Sequence, residues 1–406
     1  MSYRMFAALS FLAFSSATVA QDWPQWRGPN RDGAVESFRA PSPWPERLTE
    51  GFKVEVGLGY ATPILVSERI YLFTRRGEDE VLTALDAASG KVVWRTSYPA
   101  PFPMNPATSR HGPGPKSTPT FAGGRLFTLG MSGIVTAFDA GTGRELWQKP
   151  APPVSPLYHT ATSPIVDGDA VILHVGGHND GALTAFDVAT GDVRWRWTGD
   201  GPAYGSPMGF ELSGTQQVVT FTQENFVGVS AATGELLWRR PYTTQSTTTS
   251  QTPILFKNHP IEAGRGNGIT AIDVVRDGGA WSTKNLWHTD EVSMHLSNGV
   301  LFDSVLYGLS HLSSGQYFAL DLETGRVLWT SEPRQADNAA IVRAGDTIFS
   351  LEDDAERVVF RASRTGFEVL RRYEVAQSAT WGAQPTISGS RLFVKDVSML
   401  TLWTWD

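Results

Sequence analysis

The sequence predicts an all-β protein, an eight-bladed β-propeller of four-stranded blades whose ring is closed by strands from both the N- and C-terminal parts of the chain. Three observations predict this fold. A short turn motif returns at a nearly constant period, apolar residues alternate around each copy, and incomplete sets of strands stand at the two ends. The 40 Gly and 25 Pro among 406 residues agree with a fold that contains many turns.

The turn motif is an acidic residue, a glycine four residues later and a tryptophan four residues after that. Its complete copies are Asp86, Gly90, Trp94; Asp139, Gly143, Trp147; Asp187, Gly191, Trp195; and Asp321, Gly325, Trp329. Degenerate copies are Ser230, Gly234, Trp238; Ala362, Gly366, Leu370; and Asp273 to Trp287, which has six extra residues in its turn. The spacing runs from 53 residues (86 to 139) to 41 residues (321 to 362), the period of a four-stranded blade.

Each copy of the motif predicts a β-hairpin. The glycine favours a tight turn with a positive φ, and flanks such as "VLTAL" (81–85) and "KVVW" (91–94) alternate as paired strands do. The tryptophan is expected to be buried between adjacent sheets. Upstream of each hairpin lies a second strand pair, as in "TPILVSERIYLFT" (62–74), which starts at a Ser-Pro or Thr-Pro step. Four strands per copy make one blade.

The two ends of the chain are expected to share the eighth blade. "GFKVEVG" (51–57) is a single strand ahead of the first complete copy, and residues 381–406 provide three strands after the last copy. Pairing of residues 51–57 beside 399–405 would close the ring and remove its open edge. Seven blades are the alternative, if the divergent tail packs differently.

Three regions are predicted: a signal peptide (1–20), an N-terminal lead segment (21–50) and the propeller (51–406). Arg4, a nine-residue apolar run and "SSATVA" have the order of a secretory signal peptide that is cleaved after Ala20. That run is too short to span a bilayer, and no later stretch is long enough. We therefore expect a periplasmic or secreted protein that does not span the membrane. In the lead segment, Trp23 and Trp26 are expected to dock against the outer surface of the propeller.

Composition and charge exclude several classes of site and partner. The chain has no cysteine, which excludes disulfides, thiolate metal sites, a cysteine nucleophile and a lipid anchor on an N-terminal cysteine. The net charge of −7 argues against a nucleic-acid partner, which would require a basic surface. We expect a monomer.

The repeat A-x-D-x-x-T-G-x-x-x-W resembles the tryptophan-docking motif of pyrroloquinoline-quinone (PQQ)-type β-propellers, which include quinoprotein alcohol dehydrogenases and the barrel-assembly lipoprotein BamB. The resemblance covers essentially the whole mature chain, and "WPQWRGPNRDG" (23–33) and "RHGPGPKSTP" (110–119) also resemble PQQ-like repeat proteins. It implies the propeller fold and a possible quinone cofactor with calcium. The chain departs from the family pattern because it lacks the vicinal cysteine pair, an acidic cluster that maps onto the calcium ligands, and the acylated cysteine of BamB.

Loops from many blades are expected to meet at one face of the ring. The loops that lead into the first strand of a blade, and those that join its second and third strands, open around the same end of the central channel. Their side chains predict a polar, partly cationic funnel for a protein, small-molecule or carbohydrate ligand. The candidate ligand-binding residues are Arg110, His111, Lys116, His159, His174, His178, His295, His311, Trp381 and Lys395.

No metal site is predicted. "HVGGHNDG" (174–181) carries two histidines and Asp180, whose side chains are of the type that binds zinc. However, the His-x-x-x-His spacing is a helical signal that loses its meaning on strands, where alternation governs which face a side chain takes, and an ordinary turn is the preferred interpretation.

Two functions are compatible with the sequence. The first is an exported, non-catalytic binding or scaffold propeller that uses one face of the ring, since no catalytic motif is present and no catalytic residue is predicted. The alternative is a quinoprotein oxidoreductase that uses pyrroloquinoline quinone with calcium to oxidise an alcohol or a sugar. With histidines that titrate near pH 6.5, the funnel is expected to bind anions more tightly as the pH falls.

Overall fold

Eight antiparallel four-stranded sheets form the ring. The computed structural model describes residues 21–36, 38–245, 249–353, 356–378 and 383–405, and the predicted signal peptide lies outside them. In blades 1 to 7 the four strands follow chain order from the channel outwards, and the first strands of neighbouring blades approach one another. The prediction of an eight-bladed β-propeller is confirmed.

Two strands precede the first complete blade: β1 (Ala34–Val35) and β2 (Thr49–Glu55). Blade 1 consists of β3 (Ile64–Val66), β4 (Arg69–Arg76), β5 (Asp79–Asp86) and β6 (Val92–Pro99), and blade 2 of β7 (Thr120–Ala122), β8 (Arg125–Leu129), β9 (Val135–Asp139) and β10 (Glu145–Lys149). Blade 3 consists of β11 (Ile165–Asp167), β12 (Ala170–Gly177), β13 (Asp180–Asp187) and β14 (Val193–Trp197), and blade 4 of β15 (Met208–Leu212), β16 (Thr215–Phe221), β17 (Asn225–Ser230) and β18 (Leu236–Pro241).

Blade 5 consists of β19 (Ile254–Phe256), β20 (His259–Ala263), β21 (Ile269–Asp277) and β22 (Ala280–Thr289), and blade 6 of β23 (Val300–Phe302), β24 (Val305–Ser310), β25 (Gln316–Asp321) and β26 (Arg326–Thr330). Blade 7 consists of β27 (Ala339–Ala344), β28 (Thr347–Glu352), β29 (Glu356–Arg361) and β30 (Glu368–Glu374). Blade 8 consists of β31 (Thr386–Ser388), β32 (Arg391–Lys395) and β33 (Met399–Thr404), with β2 as its outermost strand. Short 3₁₀ turns lie at Pro106–His111 and Leu312–Ser314. No helix in the described ranges has the length and apolar character of a membrane span.

Strand β2 closes the ring as the outer strand of blade 8. It pairs antiparallel with β33, with Val54 opposite Leu400, which confirms the predicted pairing of the two ends. Phe52 of β2 packs against the turn of blade 1, where a Cβ atom on Gly90 would lie 2.7 Å from its ring. Phe52 therefore occupies the place that the repeat tryptophan holds in other blades.

Most repeat tryptophans lie against the turn of the following blade, whereas the indole N–H of Trp238 donates to Gln217 Oε1 within its own blade at 2.7 Å. The indole N–H of Trp94 donates to a carbonyl of blade 2 at 3.1 Å, and a Cβ atom on Gly143 would lie 2.5 Å from the indole. Trp147 makes the equivalent contact with Gly191 of blade 3. Both glycines have positive φ, 75° and 72°. Any larger residue there would be strained and would also collide with the indole.

A belt of hydrogen bonds links the blades where their first strands begin. In each bond the backbone N–H of one such residue donates to the side-chain oxygen of the matching residue in the next blade, at 2.8–3.4 Å. We call this chain the inter-blade belt; it runs through Gln384, Thr62, Thr118, Ser163, Ser206, Thr252 and Asn298. The Ser-Pro and Thr-Pro steps therefore join neighbouring blades as well as starting strands.

Residues 21–36, which we call the leader, fill the central channel. The backbone of Trp23 exchanges hydrogen bonds of 2.6 and 3.0 Å with Leu65 in the first strand of blade 1. At the other end of the leader, β1 pairs in parallel with β27 of blade 7. Both ends lie together at the face where the first strands end, since Gln21 Oε1 accepts the Glu36 N–H at 3.0 Å. The leader therefore enters the channel, turns, and returns to the same face.

Two buried arginines hold the turn of the leader. Arg27 donates to the carbonyl of Gly299 in blade 6 at 2.6 Å, and Arg31 donates to the carbonyl of Pro164 in blade 3 at 2.9 Å. Burial lowers the pKa of Arg27 to about 10 and that of Arg31 to about 9, so both stay charged at neutral pH. The carbonyl acceptors compensate for part of the desolvation of these charges.

The expectation that Trp23 and Trp26 dock on the outer surface is wrong. Trp23 is fully buried in the channel, and the indole N–H of Trp26 donates to Thr252 Oγ1 in blade 5 at 3.1 Å. The physical reason is that the channel offers both apolar side chains and free carbonyls at its wall. In a segment rich in Trp and Arg, the indole rings pack against the apolar side chains and the guanidinium groups donate to the carbonyls.

Replacing Trp147 by Ala is expected to lower the free energy of unfolding by about 3–5 kcal/mol, because the buried indole leaves a cavity and its N–H bond to blade 3 is lost. The matched control is Glu145→Ala on the same strand, an exposed position whose loss should cost less than about 0.5 kcal/mol. Urea unfolding measures both. Equal losses for the two variants would show that the indole does not stabilise the contact between blades.

Candidate functional site

A pocket of about 540 Å³ lies at the channel mouth, on the face opposite the two ends of the leader. We call it the mouth pocket. Seven blades and the leader contribute to its lining, which consists of Trp26, Tyr60, Ala107, Thr108, His111, Lys116, Tyr158, Ala161, Ser163, Tyr204, Ser206, Ser250, Thr252, Arg265, His295, Leu296, Asn298, Asn338 and Ala339. Most of these residues stand just before the first strand of their blade.

The floor of the pocket is formed by the leader and the inter-blade belt. Trp26, at the turn of the leader, is half-buried and lines the pocket. Around it stand Ser163, Ser206 and Thr252, whose hydroxyl oxygens accept backbone N–H groups. Each of these hydroxyls can still donate its own hydrogen to a ligand.

Two cations add to the hydroxyl donors. Lys116, in the loop before β7, donates to Tyr158 O at 2.9 Å and keeps two further donors. Arg265 is exposed on the loop between β20 and β21. The lining contains no Asp or Glu among the residues described. The mouth pocket is therefore rich in donors and positively charged, which suits a ligand that carries acceptor oxygens and negative charge.

Burial determines the protonation states of the titratable side chains that line the pocket. Desolvation lowers the pKa of Lys116 to about 8, so the ammonium form predominates only below that pH. Desolvation, with the positive charge of Arg265 and the proximity of His311, lowers the pKa of His295 to about 4. His295 is therefore neutral across the physiological range, and Lys116 is the group whose charge changes near it.

Three of the ten candidate residues line the pocket: His111, Lys116 and His295. Three others lie at its margin. His159 packs on Phe102 with ring centroids 4.7 Å apart, the His178 ring lies 6.1 Å from that of Tyr204, and the His311 ring lies 6.1 Å from that of His295. The prediction that loops of many blades meet at one face agrees with this arrangement, while ligand binding by these residues stays a prediction.

The remaining candidates lie elsewhere or outside the description. His174 is buried, with Nε2 3.0 Å from Asp200 O, and desolvation lowers its pKa to about 4. Lys395 is fully buried, and four carbonyl oxygens lie within hydrogen-bond distance of its Nζ, among them Gly59 O at 2.6 Å, so this side chain joins loops rather than facing the pocket. Trp381 lies outside the described residues, as does the side chain of Arg110.

Sequence reasoning missed Trp26 and Arg265 as lining residues. Trp26 belongs to a segment outside the repeat, so the repeat pattern assigns it no place. Arg265 lies on a loop of the predicted kind, and its charge was the available signal. The Ser-Pro and Thr-Pro steps predict strand starts, and nothing in their pattern indicates that their hydroxyls also line the mouth.

The histidine-based expectation of pH dependence needs correction. Desolvation is the largest cause of a lowered pKa for His159, His174, His178, His295 and His311. Protonation of these five side chains therefore requires more acidic solutions than pH 6.5. The titration of Lys116 predicts instead that anion binding weakens as the pH rises through about 8.

The residues present fit a quinone with calcium only in part. Calcium takes six to eight oxygen ligands, with carboxylates prominent among them. The lining residues that the structure describes offer the amide oxygens of Asn298 and Asn338 but no carboxylate. The described chain contains no group of three or more His, Asp or Glu placed to hold a metal ion. The donors suit the three carboxylates of the quinone, whereas the lining does not suit its calcium partner.

Comparisons with known proteins agree with this fold. The family model described as outer membrane protein assembly factor BamB matches residues 77–331. BamB of Shewanella oneidensis is 25% identical over 292 residues, 72% of this chain and 62% of that protein. The dehydrogenase subunit of the quinone alcohol dehydrogenase of Acetobacter aceti is 32% identical over 152 residues, 34% of this chain and 19% of that protein. The chain thus spans less than two thirds of the length of both curated relatives.

A solved structure supports the same conclusion about the fold. BamB from Moraxella catarrhalis superposes with a TM-score of 0.61 at 16% identity, covering 88% of this chain and 99% of that one. At this identity the likeness concerns the arrangement of blades.

We expect the side chain of Lys116 to titrate near pH 8, because burial in the pocket wall disfavours its charged form. NMR of ¹³C-lysine-labelled protein between pH 6 and 11 measures this directly. The variant Lys116→Met identifies the resonance by removing it. Titration of that resonance above pH 10 would show that Lys116 is as well hydrated as a free lysine.

Proposed function

Since the chain belongs to the family of β-propellers described as outer membrane protein assembly factor BamB, we propose that it is an exported binding protein that holds a protein or carbohydrate partner at the mouth pocket. The observation that supports this function best is the convergence of donors from several blades on one concave site whose described lining has no carboxylate. Such a site attracts acceptor-rich, negatively charged groups.

The surface around the pocket supports a partner larger than a small ion. Leu157 is 52% exposed, Leu296 43% and Val154 41%, and all three lie in loops that lead into first strands on this face. Apolar side chains around a polar centre are typical of protein interaction sites. An acidic group of the partner would enter the pocket while its apolar neighbours contact these residues.

The predicted signal peptide supports a function outside the cytoplasm. After cleavage behind Ala20, the mature chain would begin at Gln21, at the channel end opposite the mouth pocket. We propose a periplasmic or secreted monomer whose binding face stays open to partners.

Citrate and galacturonate are expected to bind at pH 7, and to bind more weakly above pH 8 as Lys116 loses its proton. Calorimetric titration at pH 6.5 and 9.5 measures the change, and added salt should weaken binding as it screens the charges. Lys116→Met should lower the affinity about tenfold at pH 7 and remove most of the pH dependence.

The matched control is Lys257→Met. Lys257 is exposed on the opposite face and pairs with Glu323 at 2.7 Å, so its loss should leave binding unchanged. Absence of binding by both anions, or equal effects of the two lysine variants, would refute a binding site at the mouth pocket.

A second function, oxidation of an alcohol or sugar by bound pyrroloquinoline quinone, is favoured by the match to the Acetobacter dehydrogenase subunit. The donors of the pocket support binding of the quinone, and the lack of carboxylates among the described lining residues argues against its calcium partner. Dye reduction by protein incubated with quinone and calcium, tested with a panel of alcohols and aldoses, separates the two functions. Turnover that Lys116→Met abolishes would favour the oxidoreductase.

A further inference from the structure

We infer that the ligand group held in the mouth pocket is a carboxylated sugar ring, and that Trp26 of the leader is the surface on which this ring lies. The inference rests on the proposed function and adds the chemical class of the ligand. It depends on three features of the pocket: an apolar aromatic floor, two cations in the wall, and an acceptor that has no partner among the described residues.

The first feature is the fixed position of the Trp26 ring. Its indole N–H is occupied by Thr252 Oγ1 at 3.1 Å, so the part of the side chain available to a ligand is the apolar ring. The neighbouring residue Arg27 is tied to blade 6, and Arg31 is tied to blade 3. Because both ends of this short turn are held by the wall, Trp26 needs little further ordering when a ligand arrives.

Aromatic walls accompany the aromatic floor. Tyr158 and Tyr204 lie with ring centroids 5.8 Å apart, and Tyr204 Oη accepts the N–H of Tyr158 at 3.1 Å. Together with Tyr60 they line the same pocket as Trp26. A cavity with several aromatic surfaces contacts the C–H faces of a ring better than a flexible acyclic chain, whose ordering costs more entropy.

The second and third features select the polar groups of the ligand. Lys116 and Arg265 are donors with positive charge, which select a carboxylate. Asn338 instead requires a hydrogen-bond donor on the ligand, because its side-chain oxygen is enclosed and has no hydrogen-bond partner among the described residues. An enclosed acceptor is satisfied by an O–H donor of the ligand.

One class of small molecule meets all three requirements. An acidic sugar has a ring for Trp26, a carboxylate for the cations and hydroxyl donors for Asn338. Citrate lacks the ring, an aromatic acid such as phthalate lacks hydroxyl donors, and galactose lacks the charge. The volume of about 540 Å³ accommodates a sugar of one or two rings.

The experiment compares these four probes by calorimetry with the full mature chain. We expect the affinity for galacturonate to be higher than that for citrate, phthalate or galactose by a factor of about ten or more. Trp26→Ala should weaken galacturonate about tenfold and citrate less than about threefold, while Trp26→Phe should keep most of the affinity because a ring remains. Asn338→Ala should weaken galacturonate and leave phthalate unchanged.

The outcomes separate this inference from the proposed function. If citrate or phthalate binds as tightly as galacturonate, or if Trp26→Ala weakens all anions equally, the acidic-sugar assignment is wrong while the binding site stands. If no anion binds the wild-type protein, the proposed function itself fails. Thermal melting of each variant shows whether the leader still stabilises the ring, and Trp26→Phe tests the ring contact should Trp26→Ala unfold.

Discussion

The inter-blade belt is the constraint on which the mouth of this propeller depends. A hydroxyl or amide oxygen at the start of one blade accepts the backbone N–H of the blade before it, and six such bonds run from Gln384 to Asn298. A buried N–H without such a partner would be costly. The belt therefore fixes the distance between neighbouring blades at the same level where the pocket opens, and its hydroxyls become part of the pocket lining.

The leader forms the rest of the pocket floor, beside the hydroxyls of the belt. The eight first strands surround a channel that the side chains of the strands do not fill, and the leader occupies it with Trp23 against blade 1 and two arginines bonded to backbone carbonyls. Without this segment the mouth pocket would continue into the channel and would lose Trp26. The pocket is therefore a joint product of the repeat and of a segment that does not repeat.

The sequence predicts the ring well because the ring is periodic. Asp, Gly and Trp at fixed offsets define four complete copies, and three degenerate copies continue the same period. The remaining strands at the two ends pair in blade 8, where Val54 lies opposite Leu400. The leader lies outside the repeat, so the periodicity of the sequence does not predict where Trp26 lies. The residue type alone also could not separate Lys116, which lines the pocket, from Lys395, which is fully buried among carbonyls. Burial depends on how neighbouring loops pack, and the composition of a loop does not reveal that.

The position of the leader has a consequence for how the chain reaches its native state. Trp26 and Thr252 are 226 residues apart in sequence, and Arg27 and Gly299 are 272 apart. The leader lies near the start of the chain, yet it can complete its contacts only after blade 7 exists, because β1 pairs with β27. Strand β2 can pair only when the last blade has formed. Contacts of such long range are slow to form, because the entropy of closing the loop is lost before the contacts stabilise it. Folding chains thus pass through open rings with unpaired strand edges, which are the species that holding chaperones protect from aggregation.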